Sequence, residues 1–582
     1  MEGEAVKKVI VGLILPICLL LASCSSSKAE PKIAATEKQV STKDADPGVV
    51  LISTRPTDIP GGAANASLTQ AAQFAWNQFI ALNWPAVPQD GTNREKPDSA
   101  PFGTTGQPLV WQTYRSRDEL YPWQTYLPPG ATMDPNTGNV SFNYDAKPVY
   151  HYQNKIQSCN QSPPPLVPPW VNLDEISQIG LNFMFDGNPL GQQYPASGNS
   201  VPKLIRFLAK GNRTYSKYIT DKSYYNHGGN YFQDVTNFTN AVAAGKPPAG
   251  GVSFVEFPSD TVMVKSAWRL LTTAELASGR FYTAPVRFYE KKAGNLCYND
   301  EAGWGMVALH IVQRSPSTLH YFTFATFEQA DNIKNGFGQP VEGVAGELPK
   351  PPVGTPTIPD IAHTDYPNPV TTTAKGAFCD TDNDARLAYK NIAPGLPQAA
   401  DGHGGICVYN RRYPIPQQII DVNKEAQQKI QTYEQANNVK NSPWPYYKLV
   451  NVQFQPFNGA DINDSNPNRL SSTYRQANIV VETNYTLQNF SGRLLNDALP
   501  TDGQTTDFTN PPGTPFKNVV VANGAGTAFD RYNMGGCMGC HGNAQVSGTD
   551  FSFMLNEGPE LAPESPDFSD AAKAALRKKY KF

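Results

Sequence analysis

Met306-Val307-Ala308-Leu309-His310-Ile311-Val312 and His320-Tyr321-Phe322-Thr323-Phe324-Ala325 flank the short stretch Ser315-Pro316-Ser317-Thr318. Two runs rich in β-branched and aromatic residues, joined by turn-forming residues, predict a β-hairpin. In the simplest register His310 shares a face with Met306, Ala308 and Val312 and points inward. The same signal continues upstream through Val262 to Leu271 and Phe281 to Tyr289, and downstream through Tyr446 to Phe454 and Asn478 to Thr486. The chain of 582 residues carries 51 Pro, 46 Gly, 27 Tyr and 28 Phe, a mixture that suits strands and loops better than a helical bundle. The expected fold is therefore α+β and β-rich: a large β-sheet body with long Pro/Gly-rich loops and a few peripheral helices.

Three helices are predicted around that body. Ser67 is a good N-cap, and Leu68, Ala71, Ala72, Ala75, Phe79, Ile80 and Leu82 recur at helical spacing until Pro85 closes the segment. Pro416 to Asn437 reads as a second helix with Ile419, Ile420, Ala426 and Ile430 on its buried side. Asp570 to Tyr580 reads as a short third. Pro88 to Ser200 is loop-like, but Tyr121, Trp123, Tyr126, Tyr150, Tyr152 and Trp170 interrupt it, so it is expected to wrap over a core. Trp76, Trp84, Trp111 and Trp123 are expected to be core residues rather than a cofactor wall. A polar Tyr/Asn/Gly stretch containing His227 precedes Asn240.

Near the C-terminus stands Arg531-Tyr532-Asn533-Met534-Gly535-Gly536-Cys537-Met538-Gly539-Cys540-His541-Gly542. Cys537-x-x-Cys540-His541 is the attachment pattern of a c-type haem. Two thiols at this spacing add across the two vinyl groups, and His541 offers an imidazole to the iron as proximal ligand. Gly535, Gly536, Gly539 and Gly542 would let the backbone approach a flat macrocycle. A redox CxxC pair calls for a strand before the motif and a helix after it, and the Gly-rich run suggests neither. Half of a zinc site calls for a second pair of ligands nearby, and none is in the text. One covalent haem c is the expected cofactor.

The N-terminus reads as an address. Lys7 and Lys8 precede an apolar run to Ala22, then Leu21-Ala22-Ser23-Cys24, an ending that resembles a bacterial lipobox with Cys24 as the lipidated residue. Ser25 rather than Asp follows Cys24, which favours the outer membrane, periplasmic or surface-facing. The membrane, through this lipid anchor, and a redox partner protein are the expected partners. With 17% charged residues and a net charge of −3, nothing suggests nucleic acid. Of eight cysteines, Cys18 lies in the signal, Cys24 takes lipid and Cys537 and Cys540 take haem. Cys159, Cys297, Cys379 and Cys407 remain for disulfides, most simply Cys159 with Cys297 and Cys379 with Cys407 among three possible pairings. The expected organisation is a signal peptide at 1–23, a flexible tether at 24–65, a β-rich body at 66–530, and a haem-attachment segment at 531–582 packed on that body.

Asp380-x-Asp382-x-Asp384 resembles the first half of a calcium loop, with Ala385 where glycine is wanted and Asn391 at the twelfth position. A solvated acidic turn is the competing interpretation, and Asp461-x-Asn463-x-Ser465 is a weaker loop of the same kind. Four stretches are similar to uncharacterised bacterial secreted proteins of the cytochrome c family: Phe74 to Ala86, Tyr321 to Asn332, Asn478 to Asn489, and the haem motif with Asp550 to Phe553. The resemblance implies a secreted or lipidated monohaem protein and no particular reaction.

Only 41 residues follow His541, too few for a small cytochrome c domain, so the body is expected to dock the haem. Met554 and His310 are the candidates for the distal iron ligand. A closed iron would serve electron transfer, the leading expectation. An open one would serve a peroxidase- or oxygenase-like enzyme, and a third possibility is a binding protein stapled by its haem.

Overall fold

The computed structural model describes residues 47–89, 92–122, 132–133, 140–141, 143–160, 167–178, 182–183, 205–271, 273–318, 320–332, 415–475 and 517–565. They lie in one compact unit, Asp44–Phe582, that includes the Cys537–His541 motif. Its centre is a nine-stranded mixed sheet. Six of its strands matter here: β1 (Arg206–Gly211), β2 (Val262–Leu270), β3 (Thr283–Lys292), β4 (Asn295–Gln313), β5 (Thr323–Gln329) and β6 (Tyr447–Gln453). All six are joined antiparallel, and β4, 19 residues long, pairs with β2, β3 and β5. The predicted hairpin is β4–β5, closed through Pro316–Thr318.

One face of this sheet is covered by two helices, α1 (Leu68–Leu82) and α4 (Gln417–Ala436). Ser67 caps α1 through a capping box with Gln70, as its sequence suggested. Ile419, Ile420, Ala426 and Ile430 of α4 are all buried. Phe327 of β5 stacks on Phe79 at 4.4 Å and meets Trp76 edge-on at 5.1 Å. The Trp76 indole donates to Asn423, whose amide donates to the Leu449 carbonyl, so helix, helix and strand are locked by one buried chain of hydrogen bonds. Trp76, Trp84 and Trp111 are core residues. Trp123 lies outside the described residues.

Four features differ from the sequence expectation. Residues 47–65, assigned to the tether, are packed: Val49, Ile59 and Ala63 are buried, and the Val49 and Val50 amides donate to Glu425 and Asn77. The apolar run Val49-Val50-Leu51-Ile52 is only four residues long and the rest of the segment is rich in Pro, Gly and polar residues, so no periodicity marks it. The polar stretch before Asn240 forms two helices, α2 (Arg213–Asp221) and α3 (Tyr231–Ala244), whose buried sides use Tyr215, Ile219, Tyr231, Asp234 and Phe238 instead of an aliphatic stripe. A hairpin of β7 (Val519–Ala522) and β8 (Phe529–Tyr532) occupies what read as loop before the haem motif. Finally, His310 does not share a face with Met306. The pairing of β4 with β2 shifts between Met306 and Ala308, and this bulge inserts Val307. Met306 therefore packs with Leu309 and Ile311, while Val307 and Ala308 pack together on the other side.

Cys159 and Cys297 form a disulfide, with Cα atoms 4.9 Å apart, that ties the first strand residues of β4 to the wrapping loop. Cys24, Cys379, Cys407, the Asp380–Asp384 loop, Asn478–Thr486 and Asp570–Tyr580 lie outside the described residues. No helix among the described residues is long and apolar enough to cross a membrane.

Candidate haem-attachment site

The second face of the sheet carries two cross-strand rows. One runs Ala209, Lys265, His310, Thr326, Asn451, and the next runs Gly211, Met263, Val312, Phe324, Gln453. Over these rows lies α5 (Gly536–Ala544), which carries Cys537, Cys540 and His541. Gln453 sits at its start: the Met538 amide donates to Gln453 Oε1 at 2.6 Å, satisfying one of the orphan donors of the first helical turn. Asn518 donates to the Met534 carbonyl (2.8 Å) and the Gly539 carbonyl (2.7 Å), fastening the helix to the β7–β8 hairpin.

The glycines of the motif are required by protein packing. A Cβ on Gly539 would stand 2.5 Å from the Met534 carbonyl carbon and 3.0 Å from Asn518 Nδ2. One on Gly542 would stand 2.7 Å from Val519 Cγ2. One on Gly535 would run into the Tyr474 ring, and Gly536 has a φ of +64° that favours glycine in any case.

Neither Cys537 nor Cys540 is in a disulfide, and both are buried. Being three apart on a helix, they share a side of it. Burial pushes both thiols up to about 12, with a Thr326 hydrogen bond opposing the shift at Cys537. A strand, β8, does precede the motif and a helix carries it, so the local argument against a redox pair fails. The chemistry replaces it: reactive CxxC thiols have lowered values, and these are raised. No group of three or more His, Cys, Asp or Glu among the described residues is arranged to hold a metal ion by itself.

His541 is partly exposed. Its Nδ1 lies 2.7 Å from the Phe551 carbonyl. A carbonyl only accepts, so Nδ1 carries the proton and the Nε2 lone pair is left for a metal. Burial pulls the imidazole down to about 4 against that hydrogen bond, which keeps the ring neutral. The carbonyl is presented by a strained turn. Asp550 and Phe551 have φ of +47° and +67°, and two consecutive non-glycine residues in the left-handed region are held at a cost of about 1–2 kcal/mol each. Three contacts hold them: Asp550 is ion-paired with Arg314 at 2.5 Å, it accepts from the Phe257 amide at 2.6 Å, and Phe551 is fully buried. Nothing in the sequence marks this turn, since neither residue is glycine or asparagine.

His310, one of the two distal candidates, stands beside His541. Their ring centroids are 6.0 Å apart and their planes 34° from parallel. His310 Nδ1 lies 3.0 Å from Thr326 Oγ1, which is itself 3.7 Å from Cys537 Sγ. Burial and the neighbouring His541 pull His310 down to about 3. Met554, the other candidate, is a buried member of the apolar cluster with Tyr231, Phe551 and Leu555. Arg269 is committed to Glu275, and Arg314 to Glu256 and Asp550. Asp461 of the weaker acidic loop accepts from Asn458 and faces Arg469.

The donor set is the one a c-type haem would use, two thiols on one side of a helix and an imidazole with its outer nitrogen already bonded, while Phe324, 5.2 Å from His541 and 6.0 Å from His310, fills the space between the two imidazoles. Asn451 Oδ1, in the row of His310 and Thr326, is buried without a hydrogen-bond partner. Comparison with family models, with curated proteins and with solved structures found no match to this chain.

Proposed function

We propose that this chain is a c-type monohaem protein that transfers electrons at the cell envelope. The observation that carries the proposal is the hydrogen bond from His541 Nδ1 to the Phe551 carbonyl. Proximal histidines of metal centres are oriented through their second nitrogen in this way, which fixes the tautomer and raises the basicity of the ligating one. Cys537 and Cys540 would hold the porphyrin as thioethers, each by addition of its S–H across one vinyl double bond. When bound, haem supplies a one-electron couple whose potential follows its axial ligands and burial. The chain's own part is to present His541, exclude water with Phe324, Phe551 and Phe553, and hold the helix on the sheet.

The arginines of the β region are already paired with carboxylates, which supports electron transfer over peroxide or oxygen chemistry. The lipid anchor at Cys24 and the outer-membrane address rest on the N-terminal sequence. Film voltammetry of protein matured with covalent haem tests the proposal. A reversible one-electron couple without catalytic current on adding peroxide or oxygen is the expected result. A large catalytic current would move the function to a haem enzyme.

A further inference from the structure

Residues 556–565 lie as a strap across the wrapping loop. The Leu561 carbonyl accepts from the Gln153 amide at 3.1 Å, the Glu564 amide donates to the Asp174 carbonyl at 2.8 Å, and Glu564 Oε2 accepts from the Ile176 amide at 2.6 Å. Arg117, in the short helix Arg117–Leu120, holds Glu557 at 2.7 Å and Glu560 beside it. Three carboxyls meet under the strap: Asp118, Asp174 and Glu560, each in electrostatic contact with the other two. Asp118 is 1% exposed, and neither of its oxygens has a hydrogen-bond partner, its own amide being near but out of hydrogen-bond geometry. Glu560 Oε2 is buried and unpartnered too. A carboxylate buried without partners is costly, and it escapes the cost by neutralising or by gaining a counter-ion.

The charges around the cluster do not balance. Glu119 is taken by Arg94, and Glu175 by Lys265 of β2. Lys210 of β1 faces Asp118 while donating to the Gln112 and Tyr114 carbonyls. The wrapping loop and β3 contribute Tyr150, Tyr152 and Tyr289, which carry no charge, and His151, which burial keeps neutral beside Glu119. Asp118, Asp174, Glu557 and Glu560 therefore share two positive charges, those of Arg117 and Lys210, and two negative charges are left over. We propose that protons fill this deficit and that the cluster is a proton-operated latch, which docks the strap when Asp118 is protonated and releases it when the carboxyls are all ionised. Burial first, and the neighbouring carboxylates after it, push Asp118, Asp174 and Glu560 well above the usual carboxylate range. Values raised in the docked state mean that docking is fully stabilised below the ordinary carboxylate range and weakens as pH rises through the raised values. The strap runs on from Phe551, so its docking bears on the carbonyl that orients His541. None of this depends on bound haem.

The test is hydrogen exchange of the full chain, followed by mass spectrometry from about pH 5 to about pH 9 and divided by the intrinsic exchange rate at each pH. Peptides over 556–565 are expected to exchange faster as pH rises, by up to about tenfold per pH unit for each extra proton that the docked strap holds. Peptides over β4 are expected to show no such rise. Asp118→Asn keeps the shape without the charge and is expected to flatten the rise. Glu560→Gln is expected to do the same, and it carries the test if Asp118→Asn fails to fold. Corrected exchange of the strap that is independent of pH, or a rise of the same size in both variants, overturns the latch. A rise abolished in the wild type by added calcium gives the cluster to a cation and overturns the proton assignment.

Discussion

Replacing Gly539 by alanine should unseat α5 even though alanine is the better helix former. Alanine in a helix interior gains about 1 kcal/mol over glycine. Against this, the new methyl would stand 2.5 Å from the Met534 carbonyl carbon and 3.0 Å from Asn518 Nδ2. The carbonyl is backbone and cannot swing away, so α5 has to move. Overpacking of this kind costs about 1–3 kcal/mol. The movement also pulls on two buried hydrogen bonds of Asn518, each contributing about 1 kcal/mol. The net expectation is a loss of about 2–4 kcal/mol, read as a lower urea midpoint with an unchanged slope. Gly526→Ala is the control. It has a φ of +65° and nothing within 4 Å, so only backbone strain of about 1–2 kcal/mol applies. Because every clashing atom is protein, the Gly539→Ala loss should persist in a Cys537→Ala/Cys540→Ala background that holds no haem. A Gly539→Ala variant as stable as wild type, or one destabilised only when haem is present, would refute the packing explanation of the motif's glycines.

Opening the Cys159–Cys297 disulfide removes a crosslink between residues 138 apart, for which chain entropy sets a ceiling of about 5 kcal/mol. Cys297→Ser should therefore lower the unfolding free energy by about 2–5 kcal/mol in urea, and reductant should no longer destabilise the protein further. Glu434 gives a pH dependence. Burial pushes its carboxyl up to about 7, opposed by a hydrogen bond with Ser442. A folded-state value above the unfolded one means that stability is fully present below pH 4.5 and is lost as pH rises through 7. Glu434→Gln should accordingly match the wild type at pH 4 and melt higher at pH 8; equal melting temperatures at pH 8 would remove Glu434 from the pH profile.

The sheet was legible because its strands are runs of β-branched and aromatic residues. Val262 to Leu270 and Tyr447 to Gln453 lie within a residue or two of their sequence-based bounds. Helix α1 was legible through its cap and apolar stripe, and α4 through its aliphatic stripe. Helices α2 and α3 were not, because tyrosine and aspartate occupy their buried positions and both are poor markers of a core. The site was half legible. Cys537, Cys540 and His541 announce themselves by spacing. The approach of His310 to His541 depends on cross-strand pairing and on a bulge at Val307 that no local pattern signals. The Asp550–Phe551 turn is invisible for a different reason: its conformation is imposed by Arg314 and Phe257, more than 230 residues away in sequence.

The most direct test is the mass of the mature chain after full denaturation, compared with Cys537→Ala/Cys540→Ala. Covalent attachment predicts that the wild type carries the added mass of one haem and stains for it on a denaturing gel, while the double variant shows neither. A wild-type chain at its bare polypeptide mass with two titratable thiols, or haem retained by the double variant under denaturing conditions, would contradict it.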